Sequence, residues 1–146
     1  MAVDVLSEAT IDRPVDVVAG YAADPTHAPE WYVNIESVQW RTEPPLRVGS
    51  QLDFVARFLG RRLAYTYEIV ELEPGRRLVM RTAQGPFPME TTYTWEAAGE
   101  GSTLMTLRNR GEPSGFSKAF GPVMAAAVQR ANRKDLAALK ARLERP

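Results

Sequence analysis

Residues 89–97, Met89-Glu90-Thr91-Thr92-Tyr93-Thr94-Trp95-Glu96-Ala97, alternate without a break: Met89, Thr91, Tyr93 and Trp95 fall on one side, Glu90, Thr92, Thr94 and Glu96 on the other. Successive side chains of an extended strand point to opposite faces, so the stretch predicts a strand with one apolar and one hydrated face. The same period of two recurs on both sides of it. Upstream, residues 36–42, 51–58, 62–70 and 77–82 set Val38 and Trp40, then Leu52, Phe54, Ala56 and Phe58, then Leu63, Tyr65, Tyr67 and Ile69, then Leu78, Met80 and Thr82 on one side. Downstream, residues 103–110 do so with Met105, Leu107 and Asn109, and residues 3–11 make a first strand with Val3, Val5, Ala9 and Ile11 on one face. Turn residues such as Glu73-Pro74-Gly75 and Gly99-Glu100-Gly101 separate successive runs, which favours antiparallel hairpins in one large curved sheet.

Two segments break the alternation. Pro14 can open a short helix over Val15–Tyr21, and Asp24 can cap a second, with Pro25 at its first position, ending near Trp31. From Phe116 to Leu143 the period lengthens: Phe120, Met124, Ala127, Val128, Ala131, Leu136, Leu139 and Leu143 follow a helical spacing, with Gly121-Pro122 expected to kink or restart the helix. At 1.5 Å per residue such a helix spans about 40 Å, enough to cross the whole sheet. The expected class is α+β, a seven-stranded curved antiparallel sheet wrapped around a long C-terminal helix, with two short helices after the first strand.

Composition sets bounds on chemistry. The 146 residues are 45% hydrophobic and 25% charged, with 18 Lys+Arg against 18 Asp+Glu, so a general nucleic-acid partner is not expected. There is no cysteine and a single histidine, which excludes thiolate and multi-histidine metal centres. No metal and no cofactor are expected. The N-terminal stretch has acids where a signal peptide needs a basic start, and no apolar run is long enough to span a bilayer, so a cytoplasmic protein without stable membrane insertion is expected. Its state is expected to be monomer or homodimer. No phosphate-binding glycine motif occurs.

The inward list contains no Asp, Glu, Lys, Arg or His away from the strand ends. Its polar members are hydroxyls, an amide and an indole, which orient a ligand or polarise a carbonyl more readily than they move protons. Tyr65, Tyr67, Thr91, Tyr93, Trp95 and Asn109 form a polar-tipped stripe. Buried Tyr and Trp heads need partners, which either a pocket or a tightly packed sheet–helix interface can supply. His27, in an acid-rich stretch with no serine partner in view, is read as a surface or rim residue. Lys118, Arg130, Arg133, Lys134, Lys140, Arg142 and Arg145, opposed by Asp135 and Glu144, are read as the solvated face of the long helix.

The chain resembles the START-like helix-grip superfamily, in its polyketide cyclase/dehydrase-like (SRPBCC) branch. The resemblance is carried by Ile11-Asp12-Arg13-Pro14-Val15-Asp16-Val17-Val18, by Asp24-Pro25 through Glu30-Trp31, and by Leu46-Arg47-Val48-Gly49-Ser50. It continues in Glu71-Leu72-Glu73-Pro74-Gly75-Arg76-Arg77-Leu78 and in the closing Asp135-Leu136-Ala137-Ala138-Leu139. It implies one such domain over residues 1–146, a helix-grip fold and a deep apolar cavity. Relatives include aromatase/cyclases, hormone and lipid binders, and chaperone activators.

The leading expectation is a binding protein for a mostly apolar small molecule (polyketide, aromatic or lipid-like). Its site comprises Phe54, Tyr65, Tyr67, Met80, Thr91 and Tyr93, together with Trp95, Met105, Asn109, Phe120, Met124 and Val128. An enzyme of the polyketide cyclase/dehydrase type, acting by positioning and Tyr/Asn polarisation, is the alternative. A surface interaction module is the third reading, which a fully packed interior would favour, as would a basic C-terminal patch that binds a partner in a salt-sensitive way.

Overall fold

The computed structural model describes residues 3–58, 60–85, 87–112 and 121–145. Seven strands form one antiparallel sheet: β1 (Val3–Ile11), β2 (Ile35–Trp40), β3 (Gln51–Phe58), β4 (Arg61–Glu73), β5 (Arg77–Gln84), β6 (Met89–Ala97) and β7 (Thr103–Gly111). Their spatial order is β1-β7-β6-β5-β4-β3-β2, so five hairpins run from β2 to β7 and the first strand closes against the last. The connection from β1 to β2 carries α1 (Val15–Ala22), a 3-10 turn (Pro25–His27) and the one-turn α2 (Ala28–Trp31). Asp24 caps that turn as expected, its side chain accepting the Thr26 N–H at 2.9 Å.

The alternating faces are those read from the sequence, interrupted by register shifts at Ile35/Ser37 in β2 and at two places in the β4–β5 pair. The register shift between Ile69 and Glu71 lets β4 run to Glu73, beyond the expected end at residue 70, while the shift between Thr66 and Tyr67 places its extra residue on β5. A bulge places an extra residue on one strand and breaks the period of two, which is why alternation alone ended the strand early. At the β4–β5 hairpin Gly75 takes φ 76°, a left-handed conformation that favours glycine.

The long helix, α3 (Gly121–Leu143), opens at the Gly121-Pro122 pair. The part of the expected helix from Phe116 to Phe120 lies outside the described residues, and with it the expected site residue Phe120. The helix lies against the concave face of the sheet and makes most of its sheet contact with β1. Met124, Asn132, Asp135, Leu136 and Leu139 are its buried residues, one stripe at helical spacing.

Along that stripe the packing changes character. Leu136 and Leu139 join Ile11, Val18, Trp31, Leu52, Ile69, Leu78, Met105 and Leu107 in a closed core. Met124 belongs to a separate small cluster with Val3 and Val5, against which Phe58 and Val128 pack. The space between the two clusters is where a cavity lies.

Leu139 has no exposed surface, so truncating it opens a hole in the closed core. Leu139→Ala is expected to cost about 2–5 kcal/mol, read as a lowered urea midpoint with an unchanged slope. Val123→Ser, at a residue 59% exposed, should move stability by less than about 0.5 kcal/mol.

Candidate functional site

The cavity measures about 170 Å³ and is walled by sheet on one side and α3 on the other. β3 and β4 contribute Phe54, Leu63, Tyr65 and Tyr67; β5 and β6 contribute Met80, Met89, Thr91 and Tyr93; β7 contributes Asn109. Met124, Val128, Ala131, Asn132 and Asp135 line it from the helix. From Met124 to Asp135 these positions cover eleven residue steps, about 16 Å of axis. Small side chains at Ala131 and Val128 leave room that the leucines further along fill.

Cross-strand pairing fixes the wall. Phe54 stands opposite Tyr65, their rings stacked at 5.4 Å, and Tyr67 packs edge-on against both. Thr91 stands opposite Asn109, and its hydroxyl donates to the Asn109 side-chain carbonyl at 2.6 Å. The Tyr67 hydroxyl reaches over β5 to Thr91 at 2.8 Å, and Asn109 Nδ2 donates to Asn132 Oδ1 at 2.9 Å. The expected aromatic stripe is therefore half hydrogen-bonded network, and the network joins three strands to α3.

Of the residues expected to line a site, Phe54, Tyr65, Tyr67, Met80, Thr91, Tyr93, Asn109, Met124 and Val128 surround the cavity. The structure places Trp95 and Met105 elsewhere. They stand opposite each other on β6 and β7, 3% and 0% exposed, in the closed core. Both lie on the inward face, but further along their strands than the cavity reaches, a distance that alternation does not encode. His27 sits away from the cavity, its ring stacked on Tyr21 at 4.2 Å and its Nδ1 2.9 Å from the Tyr21 carbonyl oxygen.

The expectation that the interior has no titratable acid is corrected by Asp135. It is 2% exposed and lines the cavity rather than the solvated helix face on which it is expected. Its Oδ1 accepts the Val33 N–H at 2.9 Å, and no ion pair joins it among the described residues. Burial pushes its carboxyl up to about 7, against the pull of the Val33 hydrogen bond. Asn132 and Asp135 lie eight and eleven residues after Met124, positions on the apolar stripe. That spacing was the available signal; the neighbouring Arg133 and Lys134 obscured it.

Tyr32 is the other residue alternation could not find, because it follows α2 in a non-repetitive connection. Its hydroxyl meets that of Tyr93 at 2.5 Å at the Asp135 end of the cavity. Burial pushes the Tyr32, Tyr65 and Tyr93 hydroxyls well above the ordinary phenol range, and Tyr67 up to about 12. All four are neutral hydroxyls near neutral pH. At the cavity's edge Arg110 reaches Glu90 at 2.7 Å, and Glu90 also takes Arg81 at 2.8 Å. Among the described residues no group of three or more acids or histidines gathers to hold a metal ion, and no helix is long and apolar enough to cross a membrane.

The sequence matches the family described as "Polyketide cyclase / dehydrase and lipid transport" over residues 2–144. Among curated proteins none matches. Solved structures with the same fold include an aromatase/cyclase from a Streptomyces species, at TM-score 0.83 and 18% identity over 99% of this chain and 95% of that one. A START superfamily protein from Mycobacterium smegmatis gives TM-score 0.84 and 17% identity, with 97% of each chain covered. A major latex-like protein from Panax ginseng gives 0.77 and 15%, with 99% of each covered.

The Asp135 carboxyl makes stability depend on pH. Between about 4 and 7 the folded protein keeps a proton that the unfolded chain has released. Its contribution is full below the ordinary carboxylate range and is lost as pH rises through 7. Asp135→Asn, which retains the acceptor for Val33, removes that loss. Its stability relative to wild type should rise by about 1–3 kcal/mol between pH 5 and 8.5, followed by urea unfolding across the range. Parallel profiles for the two proteins would contradict the assignment.

Proposed function

The chain belongs to the polyketide cyclase/dehydrase and lipid transport family, and from that premise we propose that it binds a mostly apolar, ring-containing small molecule between the sheet and α3. The observation that carries the reading is the cavity itself, about 170 Å³, with aromatic and methionine walls and a few polar groups. An apolar cavity of about 150 Å³ accepts a benzene ring, so this one suits a one- or two-ring core. Met80, Met89 and Met124 adapt to irregular shapes better than branched side chains do. Polar groups set into an otherwise apolar wall orient a ligand rather than supply its main affinity. A surface interaction module draws no support from an interior with this much unfilled volume.

One observation favours the enzymatic alternative. Asp135 holds its proton up to about pH 7 beside the Tyr32–Tyr93 hydroxyl pair. A buried acid tuned to neutrality can give and take a proton from a substrate carbonyl or hydroxyl. On this reading a cyclisation or dehydration substrate is converted, and Asp135→Asn abolishes conversion while leaving binding intact.

Native mass spectrometry of the purified protein, with an organic extract of the same sample, is expected to reveal an adduct of a few hundred daltons. In parallel, 2-naphthol should raise the melting temperature of wild type. Ala131→Trp fills the cavity and should abolish that rise without lowering the ligand-free melting temperature by more than a few degrees. An equal rise in both proteins would place the ligand elsewhere and sink the proposal.

A further inference from the structure

The hydrogen-bond network along the cavity wall has a direction. Thr91 Oγ1 donates to Asn109 Oδ1 at 2.6 Å, and Asn109 Nδ2 donates to Asn132 Oδ1 at 2.9 Å. A threonine hydroxyl has one proton, already committed to Asn109, so Tyr67 is the donor in its 2.8 Å contact with Thr91. Every proton in the chain points the same way, from β4 through β6 and β7 to α3.

The chain ends at Asn132. This side chain is 3% exposed and lines the cavity, and among the described residues no group accepts from its Nδ2. A buried donor without an acceptor costs about 1–3 kcal/mol, more than a made hydrogen bond contributes. The cavity wall also carries thioether and methyl groups from Met80, Met124 and Ala131, which accept no strong hydrogen bond. One helical turn on, the oxygen atoms of Asp135 do not relieve it: no hydrogen bond joins the two side chains, and Oδ1 is taken by Val33.

Resting on the reading that the cavity holds a ligand, we propose that Asn132 is its specificity determinant. Its Nδ2 donates to an oxygen acceptor on the ligand, so the ligand class is an apolar ring system bearing a carbonyl. The directional chain supports this role. Because Asn132 Oδ1 is held by Asn109, the amide cannot rotate to present its oxygen without breaking the network, and a ligand offering a donor in place of an acceptor meets N–H. Asp135 reinforces the choice: below about pH 7 its protonated carboxyl is a second donor one turn away. Tyr32 and Tyr93 share one hydroxyl proton between them and leave the other free to point at a ligand oxygen.

The test compares 1-indanone with indane, which differ by a carbonyl in place of a methylene, by calorimetry at pH 6. Wild type is expected to bind 1-indanone more tightly than indane. Asn132→Leu should cut that preference about tenfold or more, the equivalent of one hydrogen bond to a buried donor, while changing the indane affinity less than about threefold. A second measurement uses the wild-type protein alone: the Asn132 side-chain amide protons should move downfield in nuclear magnetic resonance spectra with 1-indanone and not with indane. Binding of both compounds with an unchanged preference in the variant, or an amide signal indifferent to the carbonyl, overturns the role of Asn132 and leaves the cavity reading standing. Binding of neither compound overturns both.

Discussion

One helix has to cover a sheet much wider than itself. Seven strands at about 4.8 Å spacing make a surface roughly 29 Å across, whereas a helix with its side chains is about 10–12 Å thick. The sheet therefore curls, and the helix is held where its side chains reach. Leu136 and Leu139 reach the closed core, and Met124 reaches the cluster of Val3 and Val5. Between them Ala131 is too small, and Asn132 and Asp135 too polar, to complete an apolar contact. The cavity follows from that mismatch, and its position follows from the order of residues along α3.

What bridges the gap is polar. Asn132 ties the helix to β7 through Asn109, and Asp135 ties it to the connection after α2 through Val33. Both ties are hydrogen bonds of 2.9 Å. Buried polar groups of this kind contribute modestly to stability and strongly to geometry. The same groups are the ones a ligand meets, so the frame of the cavity and its chemistry rest on the same side chains. Family membership fits either binding or turnover in such a space; the neutral hydroxyls and the near-neutral carboxyl are compatible with both.

Most of the architecture was legible because it rests on two periods. Met89 to Ala97 and the other alternating runs gave the inner face, and the 3.6-residue spacing after Gly121 gave the helix. The bulge near Ile69 escaped because it breaks the very period being read. The site was legible by face but not by depth: Tyr93 lines the cavity whereas Trp95, two residues on, is core. Depth depends on where α3 carries leucine and where it carries alanine, which only the register between helix and sheet decides. Asp135 was missed for a related reason, since its neighbours in sequence are cations on the opposite side of the helix. Tyr32 came from an irregular connection that no period describes.

The methionines offer a direct view of the cavity. Met80, Met89 and Met124 line it, while Met105 is sealed in the closed core. With methyl-labelled methionine, titration with 2-naphthol followed by nuclear magnetic resonance should shift the methyl signals of Met80, Met89 and Met124 along one saturating curve and leave Met105 nearly still. Saturable binding that leaves those three signals unmoved would contradict a ligand site between the sheet and α3.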